Sequence, residues 1–241
     1  MPDLSGRVAI VTGSTKGIGR AIAESFADHD ASVVVSSRHD DAVEEAAAAL
    51  EGRGKGGVLG RVSDVRDPAS CRELIDAAVE EFGRLDILVN NAGLGRFAPV
   101  QEMSIEDWRV QIDTNLSGVF YCSRVALPHL SATGDGWIVN IGSLAGRNTF
   151  AGGAGYNASK FGLIGLTEAM MLDVRHDDVR VSLVMPGSVE THFNDRDPEG
   201  SPRDWAQRPE DVALAVLSLL DQPKRTHVSR IEMRPSQPPK R

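Results

Sequence analysis

Short runs rich in β-branched residues alternate with longer segments of helical spacing, and no other feature of the chain restricts its fold as tightly. The apolar runs are Val8–Thr12, Ser32–Ser36, Val58–Val62, Asp86–Asn90, Trp137–Ile141, Val179–Met185 and Val228–Met233. Between them, helical patterns cover Ile18–Asp28, Asp40–Glu51, Pro68–Phe82, Ser104–Leu130, Ala154–His176 and Pro209–Leu220. Two helix starts carry their own punctuation: Asp67 precedes Pro68, an N-cap before a proline at the first helical position, and Pro209-Glu210-Asp211 opens the last helix. Strands that alternate with helices form βαβ units, whose crossovers bury both faces of a parallel sheet. The pattern therefore predicts an α/β fold, a doubly wound parallel seven-stranded sheet with helices on both faces. With no internal repeat and no interior linker, residues 1–234 read as one domain. The Pro-rich, basic tail 235–241 is expected to be extended or disordered.

Ligands of such sheets bind beyond the carboxyl ends of the strands. Thr12-Gly13-Ser14-Thr15-Lys16-Gly17-Ile18-Gly19 lies there, between the first strand and the first helix. Glycines at this place allow a tight turn, a close approach of backbone to a pyrophosphate, and close packing of helix on strand. The helix N-terminus adds free N–H groups and the positive end of its dipole. The turn predicts dinucleotide binding on a Rossmann-like sheet, although its spacing is GxxxGxG rather than GxGxxG. The end of the second strand bears on the choice of cofactor: an acid there favours NAD, a base accommodates a 2′-phosphate. Here the strand ends Ser36-Ser37-Arg38, with no acid before Asp40. Arg38, Lys16 and the Ser37 hydroxyl make a suitable anion site through charge-assisted bonds, which predicts NADP(H). The other reading is that Arg38 stacks on adenine or faces solvent.

Several function classes fall away. The formal charge of −8 disfavours nucleic-acid binding, which relies on phosphate neutralisation. The two cysteines, Cys71 and Cys122, are far apart in sequence, so neither a disulfide framework nor a thiolate metal site is expected. The histidines show no metal-ligand spacing, and no metal is expected. No signal peptide and no apolar run of about 20 residues is visible. The expectation is a cytoplasmic protein without a membrane partner.

Further motifs follow in order: Asn90-Asn91-Ala92-Gly93 after the fourth strand, Ser143 after the fifth, Tyr156-Asn157-Ala158-Ser159-Lys160, and Pro186-Gly187-Ser188-Val189-Glu190-Thr191 after the sixth. Together with the glycine turn, over about residues 4–191, they resemble the short-chain dehydrogenase/reductase family. The resemblance implies a catalytic set of Asn115, Ser143, Tyr156 and Lys160. It also implies a cofactor site in which Asp64 and Val65 meet the adenine and Asn91, Ala92 and Gly93 lie along the cofactor. Pro186, Gly187 and Val189 would complete that site, with Thr191 holding the carboxamide.

The chemistry suits these residue types. Hydride transfer to a carbonyl leaves an alkoxide that needs a proton at neutral pH. A free tyrosine, with a pKa of about 10, is poorly poised for this. Lys160 lies four residues after Tyr156 and so shares its helix face, and its ammonium is expected to depress the tyrosine pKa. Ser143 is placed as a donor to the substrate oxygen, and no histidine is placed to make it a nucleophile. By resemblance, Asn115 interrupts its helix and holds a water that connects Lys160 to solvent. Without the resemblance it reads as a helix-interior polar residue satisfied by backbone. Gly142, Gly152, Gly153 and Gly155 fit a close-packed site or an ordinary loop. Leu144, Arg147, Phe150, Met185, His192, Phe193 and Trp205 are candidates for lining a substrate cleft.

The chain departs from many relatives in the short polar segment 192–207, expected to be mobile, and in its C-terminal ending. Its two long helical segments suit a homodimer or homotetramer contact. Three functions compete. The first is an NADPH-linked carbonyl or alcohol oxidoreductase acting on a small or medium substrate. The second is a 3-oxoacyl-thioester reductase, which needs Arg124, Arg147, Arg196 and Arg203 to form a basic patch. The third is a non-catalytic NADP-binding sensor, against which the full Tyr-Lys-Ser-Asn set speaks.

Overall fold

The structure, a computed structural model, describes residues 1–194, 200 and 202–239. Seven parallel strands lie in the order β3-β2-β1-β4-β5-β6-β7. They are β1 (Val8–Thr12), β2 (Ser32–Ser37), β3 (Val58–Val62), β4 (Ile87–Asn90), β5 (Gly136–Ile141), β6 (Val179–Met185) and β7 (Arg230–Glu232). The helices are α1 (Gly17–Asp28), α2 (Asp40–Leu50), α3 (Pro68–Phe82), α4 (Ile105–Ile112), α5 (Gly118–Ala132), α6 (Ala154–Val174) and α7 (Pro209–Leu220). The chain moves outward from β1 to β3 and then returns to β4 on the other side of β1. That reversal opens a crevice at the carboxyl ends of β1 and β4, the switch point where such sheets bind ligands.

Alternation along each strand divides the core in two. Ala9, Val11, Val33 and Val35 face a cluster with Ile22 and Phe26 of α1 and Val212, Val216 and Leu217 of α7. Val8, Ile10 and Val34 face the opposite cluster with Leu74 and Ile75 of α3, Ala126 and Leu130 of α5, and Met170 of α6. Each large side chain fully buried in this way contributes about 1.5–3 kcal/mol, and the two clusters fix helices to both faces.

The expected punctuation is present. Asp67 accepts a hydrogen bond from the Ala69 N–H at 2.9 Å, and α3 ends at Gly83 with φ of 76°. Cys71 and Cys122, far apart in sequence, are buried free thiols that meet across the α3–α5 contact.

Several boundaries differ from the sequence reading, those of α1, α2, β4 and β5 by one residue. The helix predicted over Ser104–Leu130 is two helices separated by a π turn at Asp113–Ser117, where the Gly118 N–H reaches back to the Asp113 carbonyl. Helix α6 stops at Val174 rather than His176, β2 extends to Ser37, and β7 keeps only Arg230–Glu232. The tail is anchored at its start: a methyl group on Gly187 would lie 3.1 Å from Cδ of Pro235. Of the segment 192–207, residues 195–199 and 201 lie outside the described residues. Among the described residues no helix is long and apolar enough to cross a membrane.

Candidate active site

The turn after β1 is built for close approach. Gly13 has φ of 65°, and a Cβ there would lie 2.9 Å from Cα of Ala92. A Cβ on Gly19 would lie 2.3 Å from Nδ2 of Asn91, where only hydrogen fits. Helix α1 starts at Gly17 with no side-chain cap, so its first N–H groups and dipole face the turn. Thr191 closes the far side, its Cγ2 3.3 Å from where a Gly17 methyl would stand. This cradle of bare backbone suits a pyrophosphate.

Several of the residues predicted to meet the cofactor also hold the protein together. The Ser14 hydroxyl donates to the Val11 carbonyl at 2.6 Å and accepts from the Ser36 N–H at 2.9 Å, tying β1 to β2. The Asn91 amide donates to the Thr12 and Gly13 carbonyls at 2.9 and 3.0 Å, tying the loop after β4 to the glycine turn. The side chain of Val189 is buried in the sheet core, and Ile18 packs against the same cluster. Val65 is buried under α5, where a methyl on Gly118 would strike its carbonyl. Gly187 donates its N–H to the Gln207 side chain at 3.2 Å, and the Pro186 carbonyl accepts from the Leu144 N–H. The first bond ties the loop after β6 to the segment before α7, and the second ties it to the loop that carries Ser143.

Polar groups gather at the end of β2. Lys16 and Arg38 are exposed, Thr15 and Ser37 half-buried. The buried Ser36 hydroxyl has no partner among the described residues. Asp64 is gripped by Arg66, whose Nε donates at 2.9 Å, and that guanidinium holds its carboxyl below the usual carboxylate range. Arg38 adds a weaker pull in the same direction.

The four catalytic candidates converge between β4, β5 and α6. Tyr156 and Ser143 are half-buried, and the Ser143 hydroxyl accepts from the Ala145 N–H at 3.1 Å. Lys160, 5% exposed, donates to the Ile141 carbonyl at 2.9 Å, with Nζ 5.9 Å from the Tyr156 ring centre. Burial lowers its pKa to about 8. Burial raises the Tyr156 pKa, and the neighbouring Ser143 hydroxyl opposes the rise. The expectation of a depressed Tyr156 pKa is thus corrected: burial outweighs what lowers it. The Lys160 ammonium is turned to the end of β5, and the opposing pull comes from Ser143.

Asn115 does interrupt its helix, as the π turn shows. Its amide protons go to the Leu94 carbonyl at 2.8 Å and the Ser159 hydroxyl at 3.0 Å, and its oxygen accepts from the Leu94 N–H at 2.9 Å. Its side chain therefore clamps the loop after β4 to α6, close to the backbone-satisfied alternative reading.

Sequence reasoning missed the supporting groups. Asn90 donates to Asn140, and Asn140 donates to Thr167, forming a buried polar row across β4, β5 and α6. Gln111 is fully buried, its oxygen accepting from the Arg96 N–H at 3.0 Å. Asn157 donates to the Ala145 carbonyl at 2.7 Å, holding the Ser143 loop on α6. Only Ser159 and Asn157 had a signal, their place inside the Tyr156–Lys160 run. Phe97, also missed, meets Tyr156 edge-on at 5.7 Å. Of the predicted cleft residues, Phe193 reaches Tyr156 and Phe150 reaches Phe97. Arg147 is ion-paired with Glu232 at 2.6 Å.

A sequence model of the short chain dehydrogenase family matches residues 7–201. An uncharacterized oxidoreductase of Staphylococcus saprophyticus is 32% identical over 239 residues, covering 98% of this chain and 100% of its own. A 3-oxoacyl-(acyl-carrier-protein) reductase of Thermotoga maritima is 34% identical over 227 residues, covering 90% and 91%. Among solved structures, an alcohol dehydrogenase from the archaeon Thermococcus sibiricus, complexed with 5-hydroxy-NADP, superposes with a TM-score of 0.90 at 30% identity over 98% of this chain and 99% of its own.

Proposed function

The chain belongs to the short-chain dehydrogenase family, and from that premise we propose that it is an NADPH-dependent oxidoreductase. It acts on the carbonyl or secondary alcohol of a small or medium substrate, with Tyr156 as acid and base. The observation that carries this reading is the gathering of Ser143, Tyr156 and the buried Lys160 at the end of β5, where the Lys160 Nζ donates to the Ile141 carbonyl and lies 5.9 Å from the Tyr156 ring centre.

The bare turn at Gly13, Gly17 and Gly19 and the N-terminus of α1 would hold the pyrophosphate. Ser37, Arg38 and Lys16 would take the adenosine 2′-phosphate, Asp64 and Val65 would border the adenine, and Asn91–Gly93, Pro186–Gly187 and Thr191 would border the nicotinamide. When bound, the nicotinamide supplies or accepts the hydride. Ser143 orients the substrate oxygen, and Tyr156 gives that oxygen a proton during reduction or removes one during oxidation. Lys160 keeps a positive charge beneath the tyrosine, and Asn115 positions α6 against the loop after β4.

The 5-hydroxy-NADP complex of the archaeal relative supports the cofactor assignment. The test is loss of reduced-nicotinamide absorbance across ketones, keto acids, keto esters and acyl thioesters, with NADPH and NADH in parallel. NADPH is expected to be preferred, and Arg38→Asp is expected to weaken NADPH by about 10–100-fold while sparing NADH, as loss of a bond to a charged group implies. Equal losses would remove Arg38 from the 2′-phosphate site. Binding of NADPH without turnover of any compound would favour the sensor reading.

A 3-oxoacyl-thioester reductase is the second reading, favoured by the Thermotoga relative. Its basic patch gains little support. Arg147 and Arg203 are ion-paired with Glu232 and Glu190, and Arg196 lies outside the described residues. The acyl-thioester arm of the panel decides between the two readings.

The outer face of α5 and α6 carries the exposed side chains Phe120 and Phe161 and a recess of about 480 Å³ lined by Leu116, Phe120, Tyr121, Gly162 and Leu166. Such a patch suits a two-fold contact with a second copy. Light scattering at micromolar concentration is expected to give a dimer or a larger symmetric oligomer; a monomer would remove the proposal.

A further inference from the structure

Two phenylalanines from separate loops meet the proposed acid, and a third, from another loop, meets one of them. Phe97, after β4, meets Tyr156 edge-on at 5.7 Å and 85°, and meets Phe150 edge-on at 5.3 Å and 79°. Phe193, after β6, lies on Tyr156 at 5.5 Å and 54°. Phe97 and Phe193 converge over Gly95, where a single methyl group would lie 2.8 Å from one ring and 2.9 Å from the other. A side chain on residue 95 would push both rings from these positions.

The rings are held in place by backbone. The Ala98 N–H bonds to the Gly152 carbonyl at 3.0 Å, so the Phe97 loop is laced to the Phe150 loop. The Gln111 and Asn157 side chains hold the adjoining Arg96 and Phe150 N–H groups. The Phe193 N–H donates to the Thr191 hydroxyl at 3.2 Å. Despite this anchoring, Phe97 and Phe150 remain 42% and 44% exposed. Preformed aromatic surface left in water beside a proton donor is a place for a ligand to be buried. Among the described residues, Arg147 is paired with Glu232, Arg203 with Glu190 and Arg96 with Asp107.

We propose that Phe97, Phe150 and Phe193 form an aromatic clamp that selects ketones and secondary alcohols bearing an aryl group beside the reacting carbon. The clamp rests on Tyr156 being the acid of the proposed oxidoreductase. It deepens that reading by naming the substrate class and three specificity residues. An aryl group gains edge-to-face contacts with these rings in addition to the apolar burial that an alkyl group of equal size would gain. The carbonyl next to it then falls within reach of the Tyr156 and Ser143 hydroxyls.

Binding is read apart from turnover, by saturation-transfer NMR titration of the Tyr156→Phe protein with and without NADP⁺. The probes are an aryl methyl ketone, its cyclohexyl counterpart and an aliphatic 2-oxo acid. The aryl ketone is expected to bind most tightly. Phe97→Ala should weaken it about tenfold, with the aliphatic acid changed little, and Phe97→Tyr should restore it. Tighter binding of the 2-oxo acid, an equal loss for all probes, or unchanged affinity in Phe97→Ala would overturn the clamp. Selective aryl binding with no turnover by the unmodified protein would keep the clamp and refute the oxidoreductase reading.

Discussion

Tyr156→Phe is expected to lower turnover by about 10²–10⁴-fold, the range a positioned general acid supplies, while NADPH affinity changes little. The substitution removes one oxygen and keeps the ring, so the contacts with Phe97 and Phe193 persist. The Ser143 hydroxyl still accepts from the Ala145 N–H, so its loop stays in place. The cradle at Gly13, Gly17 and Gly19 is built from other elements, which is why cofactor binding should survive. Burial raises the Tyr156 pKa, so the hydroxyl carries its proton at neutral pH. Steady-state turnover alongside a fluorescence titration of NADPH checks both halves. Full turnover in the variant would show that the proton comes from elsewhere; loss of NADPH binding would show that the ring position had collapsed.

How far the site could be read in advance depended on whether a contact is local in sequence. The glycine turn was legible because strand, turn and helix are adjacent, and the need for bare backbone is written in consecutive residues. Tyr156 and Lys160 were legible because a spacing of four sets a shared helix face. The sheet was legible through alternation, and its ends were off by a residue or two because edge strands such as β7 are shortened by what they pack against. Phe97 was not legible. Its meeting with Tyr156 depends on how the loops after β4 and before α6 are laced through Ala98 and Gly152. The same holds for Gln111 and for the Asn90–Asn140–Thr167 row, which are ordinary polar residues until the topology stacks them. The misjudged electrostatics of Tyr156 and Lys160 have a related cause. Spacing places the ammonium on the right helix face but does not reveal the Ile141 carbonyl that engages it, nor how much water the surrounding loops exclude.

Lys160→Met should abolish activity and alter how stability depends on pH. In the folded protein Lys160 has a pKa of about 8, set by burial, against 10.5 for an ordinary lysine. Between those values the unfolded chain binds the proton that the folded chain releases, so this group makes stability rise with pH from about 8 to 10.5. Below pH 8 the buried ammonium is present and carries the full cost, ~3 kcal/mol from the gap between the two values. Methionine fills a similar volume without charge and removes that cost, but it leaves the Ile141 carbonyl without its donor, a loss of about 1–3 kcal/mol. At neutral pH the two changes nearly cancel. The difference between the proteins should therefore show in slope: in urea unfolding, the native protein should gain ~3 kcal/mol on the variant between pH 8 and 10.5, with Tyr156 and the thiols cancelling in the comparison. Turnover should fall by about 10²-fold or more, because the charge beneath the tyrosine is gone. Equal slopes would mean that the ammonium is solvated in solution. Retained turnover would move the charge that supports Tyr156 to another residue.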